Sequence, residues 1–362
     1  MRPMVSYCDT LSHIVVLALV TASGQAGAMT PASPRLSPPI VIAHRGASGL
    51  RPEHTLAAYS LAIDQGADFI EPDLVPTKDD VLVARHENNI DETTNVADHP
   101  EFAARKTTKT IDGQTTTGWF VEDFTLAELK TLRAKERLPK LRPANTAYDG
   151  QFEIPTLAEI IALAKRRSKD TGRTIGIYPE TKHPTYFASI GHPTDLKLVA
   201  ELREAGWDSA KAPVFIQSFE VKNLQRLHTM TKIRLIQLMD GEGGPADGAQ
   251  PSYKAMITAE GLKAVAAYAY GIGPNKSMLW TGATPSTLVA DAHAAGLRVH
   301  PWTYRAENVF EPERFRRGTD PAAHGDIAAE IDAGLAQGID GFFTDFPLYG
   351  SQARDRLRAG VK

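Results

Sequence analysis

Short apolar runs rich in β-formers alternate along the chain with longer stretches whose apolar residues recur at helical spacing. The runs are residues 39–44, 68–75, 174–181, 214–219, 233–239, 268–273, 298–303 and 341–346. The helix-patterned stretches are 56–65, 157–169, 196–205, 221–230, 255–266, 286–295 and 327–336. Gly66, Gly206, Gly296 and Gly338 stand just past four of these, a common place for a helix to stop. A ninth run, 81–86, follows the second after only Pro76-Thr77-Lys78-Asp79-Asp80. No crossover helix fits in that gap, so the two runs are expected to form an antiparallel hairpin. Setting the hairpin aside leaves eight strands alternating with helices, the count of a (β/α)8 TIM barrel in the α/β class. A doubly wound open sheet is the competing architecture, which periodicity alone does not exclude.

Residues 97–150 break this rhythm, being too long for an ordinary βα loop. They are polar, with threonines at 115–117 and one helix-patterned piece at 126–135. An insertion over the barrel mouth is expected, either a lid that shapes a pocket or a surface decoration. The barrel itself is expected over 40–352.

Composition narrows the class. Of 362 residues, 42% are hydrophobic and 23% charged, ordinary values for a globular protein with a full core. A net charge of −3 argues against a nucleic-acid partner, since phosphate-backbone binders carry a basic surplus. Arg2, the apolar stretch Ile14–Val20 and Ala26-Gly27-Ala28 read as a signal peptide over 1–28, with a Pro/Ser-rich linker over 29–39. The apolar stretch is too short to span a membrane. A periplasmic or secreted location follows from that reading. Cys8, the single cysteine, falls within the signal, so the mature chain has no disulfide, thiolate nucleophile or Cys-ligated zinc.

The chemistry gathers at strand ends, where barrel enzymes keep their active sites. His44-Arg45-Gly46 ends the first strand, Glu71-Pro72-Asp73 lies on the second, His86-Glu87 ends the hairpin, and Glu180-Thr181-Lys182 ends the third. Glu71 and Asp73 share a strand face, their Cα atoms about 6.5–7 Å apart. Pro72 between them cannot donate to a ladder, so a bulge or an early strand end is expected there. With Glu180 they make an all-oxygen cluster suited to a hard cation such as Ca²⁺ or Mg²⁺. Salt bridges to Arg45 and Lys182 are the alternative. His44 and His86 are the acid–base candidates, because imidazole titrates near neutral pH. The other histidines, His54 and His183 among them, are read as structural. Arg45 and Lys182 beside a metal describe a site for a phosphoryl group. No P-loop or Rossmann glycine pattern supports nucleotide chemistry.

These motifs, in this order, resemble the glycerophosphodiester phosphodiesterases, and most closely the bacterial periplasmic type. The resemblance is carried by Ala43-His44-Arg45-Gly46, Pro52-Glu53-His54-Thr55, the segment from Gly66 through Glu71-Pro72-Asp73 to Leu74, and Thr77-Lys78-Asp79-Asp80. It continues through Ile175–Lys182, Gln217-Ser218-Phe219, Gly271-Ile272-Gly273-Pro274, His300-Pro301-Trp302-Thr303 and Phe343-Thr344-Asp345-Phe346-Pro347. The resemblance implies a small insertion after the hairpin and a divalent metal, Ca²⁺ ahead of Mg²⁺, on Glu71, Asp73 and Glu180. It implies His44 and His86 as the acid–base pair, Arg45 and Lys182 near the phosphate, and a small glycerophosphodiester as substrate, split to glycerol 3-phosphate and an alcohol. Gln217, Phe219 and Trp302 are added as substrate contacts. Glu87 departs from the family pattern, which has Asp after the second histidine.

Three rivals follow. One is a phosphodiesterase of other specificity, of the lysophospholipase D or inositol-phospholipid type. The Gly-, Pro-, Ala- and Asp-rich stretch 241–252 lacks the apolar loops such an enzyme needs. The second is a catalytically impaired binding protein, suggested only by Glu87. The third is a glycosidase, disfavoured because Glu71 and Asp73 point together rather than flanking a sugar bond.

Overall fold

The computed structural model describes residues 38–360. The expected signal at 1–28, Cys8 within it and linker residues 29–37 lie outside the described residues. Eight parallel staves close into a barrel. They are β1 (Ile40–His44), β2 (Phe69–Glu71 and Asp73–Pro76), β3 (Gly176–Ile177 and Glu180–Thr181), β4 (Phe215–Ser218), β5 (Arg234–Met239), β6 (Gly271–Pro274), β7 (Arg298–Val299) and β8 (Gly341–Thr344). β8 pairs with β1, and the Asp340 and Phe343 N–H groups donate to the Val299 and Pro301 carbonyls to close the ring. The open-sheet alternative is thereby removed. The expected hairpin strand is present as Leu82–Ala84, antiparallel to the second piece of β2.

Helices α1 (Leu56–Asp64), α2 (Leu157–Thr171), α3 (Thr194–Glu204), α4 (Val221–Met230), α5 (Ala259–Ala266), α6 (Leu288–Ala294), α7 (Ile327–Ala336) and α8 (Pro347–Arg358) surround the barrel. α8 carries the fold past the expected end at 352. The stretch 255–266 is broken, because Thr258 caps a fresh start by accepting from the Gly261 N–H. Strand regularity in β7 stops at Val299; Pro301 has no N–H to offer, and the chain rejoins β6 through Trp302 N–H donating to Pro274 O. The main core lies between staves and helices. A smaller one fills the barrel with Ile42, Tyr178, Phe215, Ile236 and Phe343. Tyr178 there satisfies its hydroxyl on His300 Nδ1 at 2.8 Å.

The inserted region differs from its expected form. It begins before residue 97, since the Ile90 N–H already donates to Trp119 O. It has its own core of Ile90, Val96, Phe102, Trp119, Val121, Phe124, Leu129, Leu132 and Ile154, packed on Val75, Val83 and Phe187. Burying each large side chain contributes about 1.5–3 kcal/mol, enough for the region to pack as a unit. The threonine-rich run is one strand of a hairpin, Thr107–Ile111 with Gln114–Gly118. The expected helix over 126–135 ends at Leu129, and the chain then turns so that Ala134 bridges Thr94.

Candidate active site

Strand register assembles the acidic cluster. His44 lies beside Glu71, Asp73 beside Glu180, and Glu180 beside Gln217. Pro72 breaks β2 between the two acids, as its missing N–H requires, and Pro179 breaks β3 in the same way. Both prolines still accept from the next stave, from the N–H groups of Glu180 and Gln217 at 2.9 Å each. The result is a buried trio, Glu71, Asp73 and Glu180, each offering an oxygen within 4.8 Å of the others.

The cations nearby do not neutralise the trio. Lys182 Nζ is 3.1 Å from Glu180, and Arg45 Nε is 3.4 Å from Asp73. Arg45 is also claimed by Glu53 at 3.1 Å. Among the described residues Glu71 receives only neutral donors, the Arg45 backbone N–H at 2.8 Å and the Gln217 amide at 3.0 Å. Arg45 aims that N–H by adopting a left-handed backbone, φ 59°. Burial, with Asp73 and Glu180 adjacent, pushes the Glu71 carboxyl well up. Burial likewise raises Glu180 to about 8, against the pull of Lys182. Burial would raise Asp73 too, but the His54 hydrogen bond and the Arg45 and Lys182 charges hold it well below the usual carboxylate range. The salt-bridge alternative is thus present but incomplete, and the Gln217 Oε1 beside it is buried without a partner. An all-oxygen set with surplus negative charge fits a hard divalent cation.

His44 and His86 are held by different parts of the molecule. Asp345 on the loop after β8 grips His44 Nδ1 at 2.6 Å, and is itself held by Arg142 at 2.6 Å and Arg305 at 3.0 Å. Burial and the neighbouring Arg45 charge lower His44 to about 4, so its imidazole is neutral at pH 7. His86 ends the hairpin, with Nδ1 3.1 Å from Glu87. Burial, Arg45 and Lys182 hold it well below its ordinary range, although 30% of its side chain meets solvent. Glu87 reaches His183 Nε2 with its other oxygen at 3.0 Å, and His183 Nδ1 meets Asp112 at 2.6 Å. The longer acid therefore ties the hairpin to β3 and the insertion.

A cavity of about 230 Å³ collects His44, Arg45, Glu71, His86, Glu87, Glu180, Lys182, Gln217, Phe219 and Trp302. Asp73 lies outside that lining, with an oxygen within 4.8 Å of Glu71 and Glu180. Phe219 and Trp302 meet edge to face, and Trp302 is fixed by its Nε1–H on Gly273 O at 2.8 Å. Sequence reasoning assigned no role to Asp345, Arg305 or Arg142. It set aside His54 and His183, which contact site carboxylates; His54 Nε2 is 2.9 Å from Asp73. Asp345 stood within a quoted motif, and that was the available signal. Nothing in the local pattern marked Arg142.

Fold and site together define a barrel enzyme of phosphate ester chemistry, with a cation-ready carboxylate trio beside two imidazoles. The profile of the glycerophosphoryl diester phosphodiesterase family matches residues 44–349, and the chain belongs to that family. It is 39% identical to a glycerophosphodiester phosphodiesterase of Arabidopsis thaliana over 86% of this chain and 84% of the relative. It is 31% identical to one of Haemophilus influenzae, over 85% and 87%. In fold it is similar to an Oleispira antarctica phosphodiesterase solved with the product sn-glycerol-3-phosphate, with TM-score 0.60, 22% identity, and 88% and 97% of the two chains covered. A second solved structure, from Silicibacter pomeroyi, gives TM-score 0.63 at 21% identity, covering 91% and 97%. Among the described residues no helix is long and apolar enough to cross a membrane.

Proposed function

We propose that this protein hydrolyses glycerophosphodiesters to sn-glycerol 3-phosphate and an alcohol, with His44 and His86 moving the protons. The observation that carries this reading is one cavity lined by both imidazoles, two of the trio's carboxylates, Arg45 and Lys182. Asp345 takes the Nδ1–H of neutral His44, which leaves Nε2 free to accept a proton from the glycerol 2-hydroxyl. That oxygen attacks the phosphorus, forming a cyclic glycerol phosphate. His86 protonates the departing alcohol oxygen. Burial, Arg45 and Lys182 depress His86; the diester anion offsets the two charges, and the carboxylates of Asp73 and Glu87 favour its imidazolium. Water then opens the ring with the two roles reversed. Arg45 and Lys182 balance charge on the phosphoryl oxygens.

Glu71, Asp73 and Glu180 would hold the divalent cation, which when bound supplies Lewis-acid polarisation and orientation of the reacting oxygens. Ca²⁺ is the better fit, because Mg²⁺ usually takes one or two carboxylates and keeps its waters. Residues 1–28 act as an export signal in this reading, and N-terminal sequencing of exported protein checks it by finding Met29 first. The central test is glycerol 3-phosphate release from a panel of glycerophosphodiesters, with Ca²⁺, with chelator and with His44→Ala. Release that chelator and variant both abolish supports the whole reading. Release indifferent to chelator removes the metal from it, and no release from any diester overturns it.

A further inference from the structure

Beyond His86 lies a second, larger cavity. It measures about 520 Å³, within the ~300–1,000 Å³ typical of small-molecule sites. His86 and Glu87 line both cavities. The remaining wall comes from the start of the insertion at Asn88, Asn89, Asp91, Glu92 and Thr93, from its hairpin, and from Arg137 and His183.

The geometry points to this cavity as the seat of the leaving alcohol, and to an uncharged, polyhydroxylated alcohol as the group it takes. The assignment rests on the function proposed above. If His86 hands its proton to the departing oxygen, the rest of that alcohol must extend past His86, and the space on that side is this cavity. Its chemistry then selects among alcohols. Among the described residues no Phe, Tyr or Trp lines it, so it lacks the cage that a quaternary ammonium group prefers. Ile111 is the one large apolar side chain among the described residues that line it, which gives an acyl chain little to pack on. Four carboxylates, Glu87, Asp91, Glu92 and Asp112, face two cations, Arg137 and His183, so a second phosphate is repelled. Amide, hydroxyl and carboxylate groups together offer both donors and acceptors, as a polyol requires.

The test compares kcat/KM for glycerophosphoglycerol and glycerophosphoinositol with that for the methyl ester of glycerol 3-phosphate, glycerophosphoethanolamine, glycerophosphocholine and a lysophospholipid. The parent enzyme is expected to favour the two polyol diesters. Glu92→Ala and Gln114→Ala, both at exposed positions of the wall, are each expected to lower the polyol-to-methyl selectivity ratio about tenfold, mainly through KM. A parent that prefers the methyl ester, an ammonium alcohol or the lysophospholipid overturns the assignment while leaving the hydrolase reading intact. So does a selectivity ratio that neither variant moves. A parent that cleaves none of the diesters removes the hydrolase reading itself.

Discussion

The two halves of the site are built on different kinds of structure. His44 and the trio stand on barrel staves, where strand register sets their spacing and buried pairs lock them. His86 and Glu87 stand at the end of a hairpin, joined to a region with its own core and fastened by His183. The barrel half is stiff and densely charged, and the hairpin half is partly open to solvent. In the proposed mechanism the work divides along this line: staves carry the base and the cation-holding trio, while the loop excursion carries the acid that would meet the variable part of a substrate.

Removing an imidazole is expected to have the largest effect. His44→Ala and His86→Ala are each expected to lower kcat/KM by about 10²–10⁴. A loss confined to His44→Ala in initial rates on the methyl ester would mean the hairpin half takes no part in proton transfer. Next comes Arg142→Leu, which leaves Glu307 and part of Asp345 buried without their partner; Arg142 Nε meets Glu307 at 2.6 Å. Chemical denaturation is expected to show a loss of about 3–5 kcal/mol. An unchanged midpoint would show that the insertion is not pinned to the barrel here.

His183 sharpens the contrast through pH. Burial would lower it, but the hydrogen bonds it donates to Asp112 and Glu87 raise it to about 9, above its ordinary 6.5. A raised folded value means its contribution is complete below pH 6.5 and is lost as pH climbs through 9. The gap in melting temperature between parent and His183→Gln is therefore expected to be widest near pH 6 and to close above pH 9. A gap constant across that range would exclude a charged clamp. The smallest effect is expected of Glu87→Asp. The shorter acid can keep His86 but loses His183, so activity stays within a few-fold, while Tm falls slightly by calorimetry. A loss as large as that of His86→Ala would make Glu87 a direct participant.

Legibility in the sequence followed the same division. The barrel half was readable because Glu71 and Asp73 keep a strand period, and the Pro72 break follows from a missing N–H. Pro179 carries the same signal, yet the run 174–181 reads as one strand, since a single proline among apolar residues does not say which bond is lost. Asp345 is 301 positions from its partner His44, beyond any local pattern. The insertion hid its core because Phe102, Trp119 and Phe124 are scattered among polar residues with no period. Buried Leu129 and Leu132 mimicked a helix that the backbone leaves after one turn. His54 and His183 both occupy left-handed backbone positions, which sequence alone does not reveal for histidine.

The insertion's separate core bears on how the enzyme would fail under heat. A region with its own packed interior opens as a cooperative piece at lower free energy than the whole molecule. When it opens, His86 departs with it, while the staves, the trio and His44 stay assembled. Inactivation is therefore expected at temperatures below the main calorimetric transition, and on cooling the activity returns without refolding of the barrel.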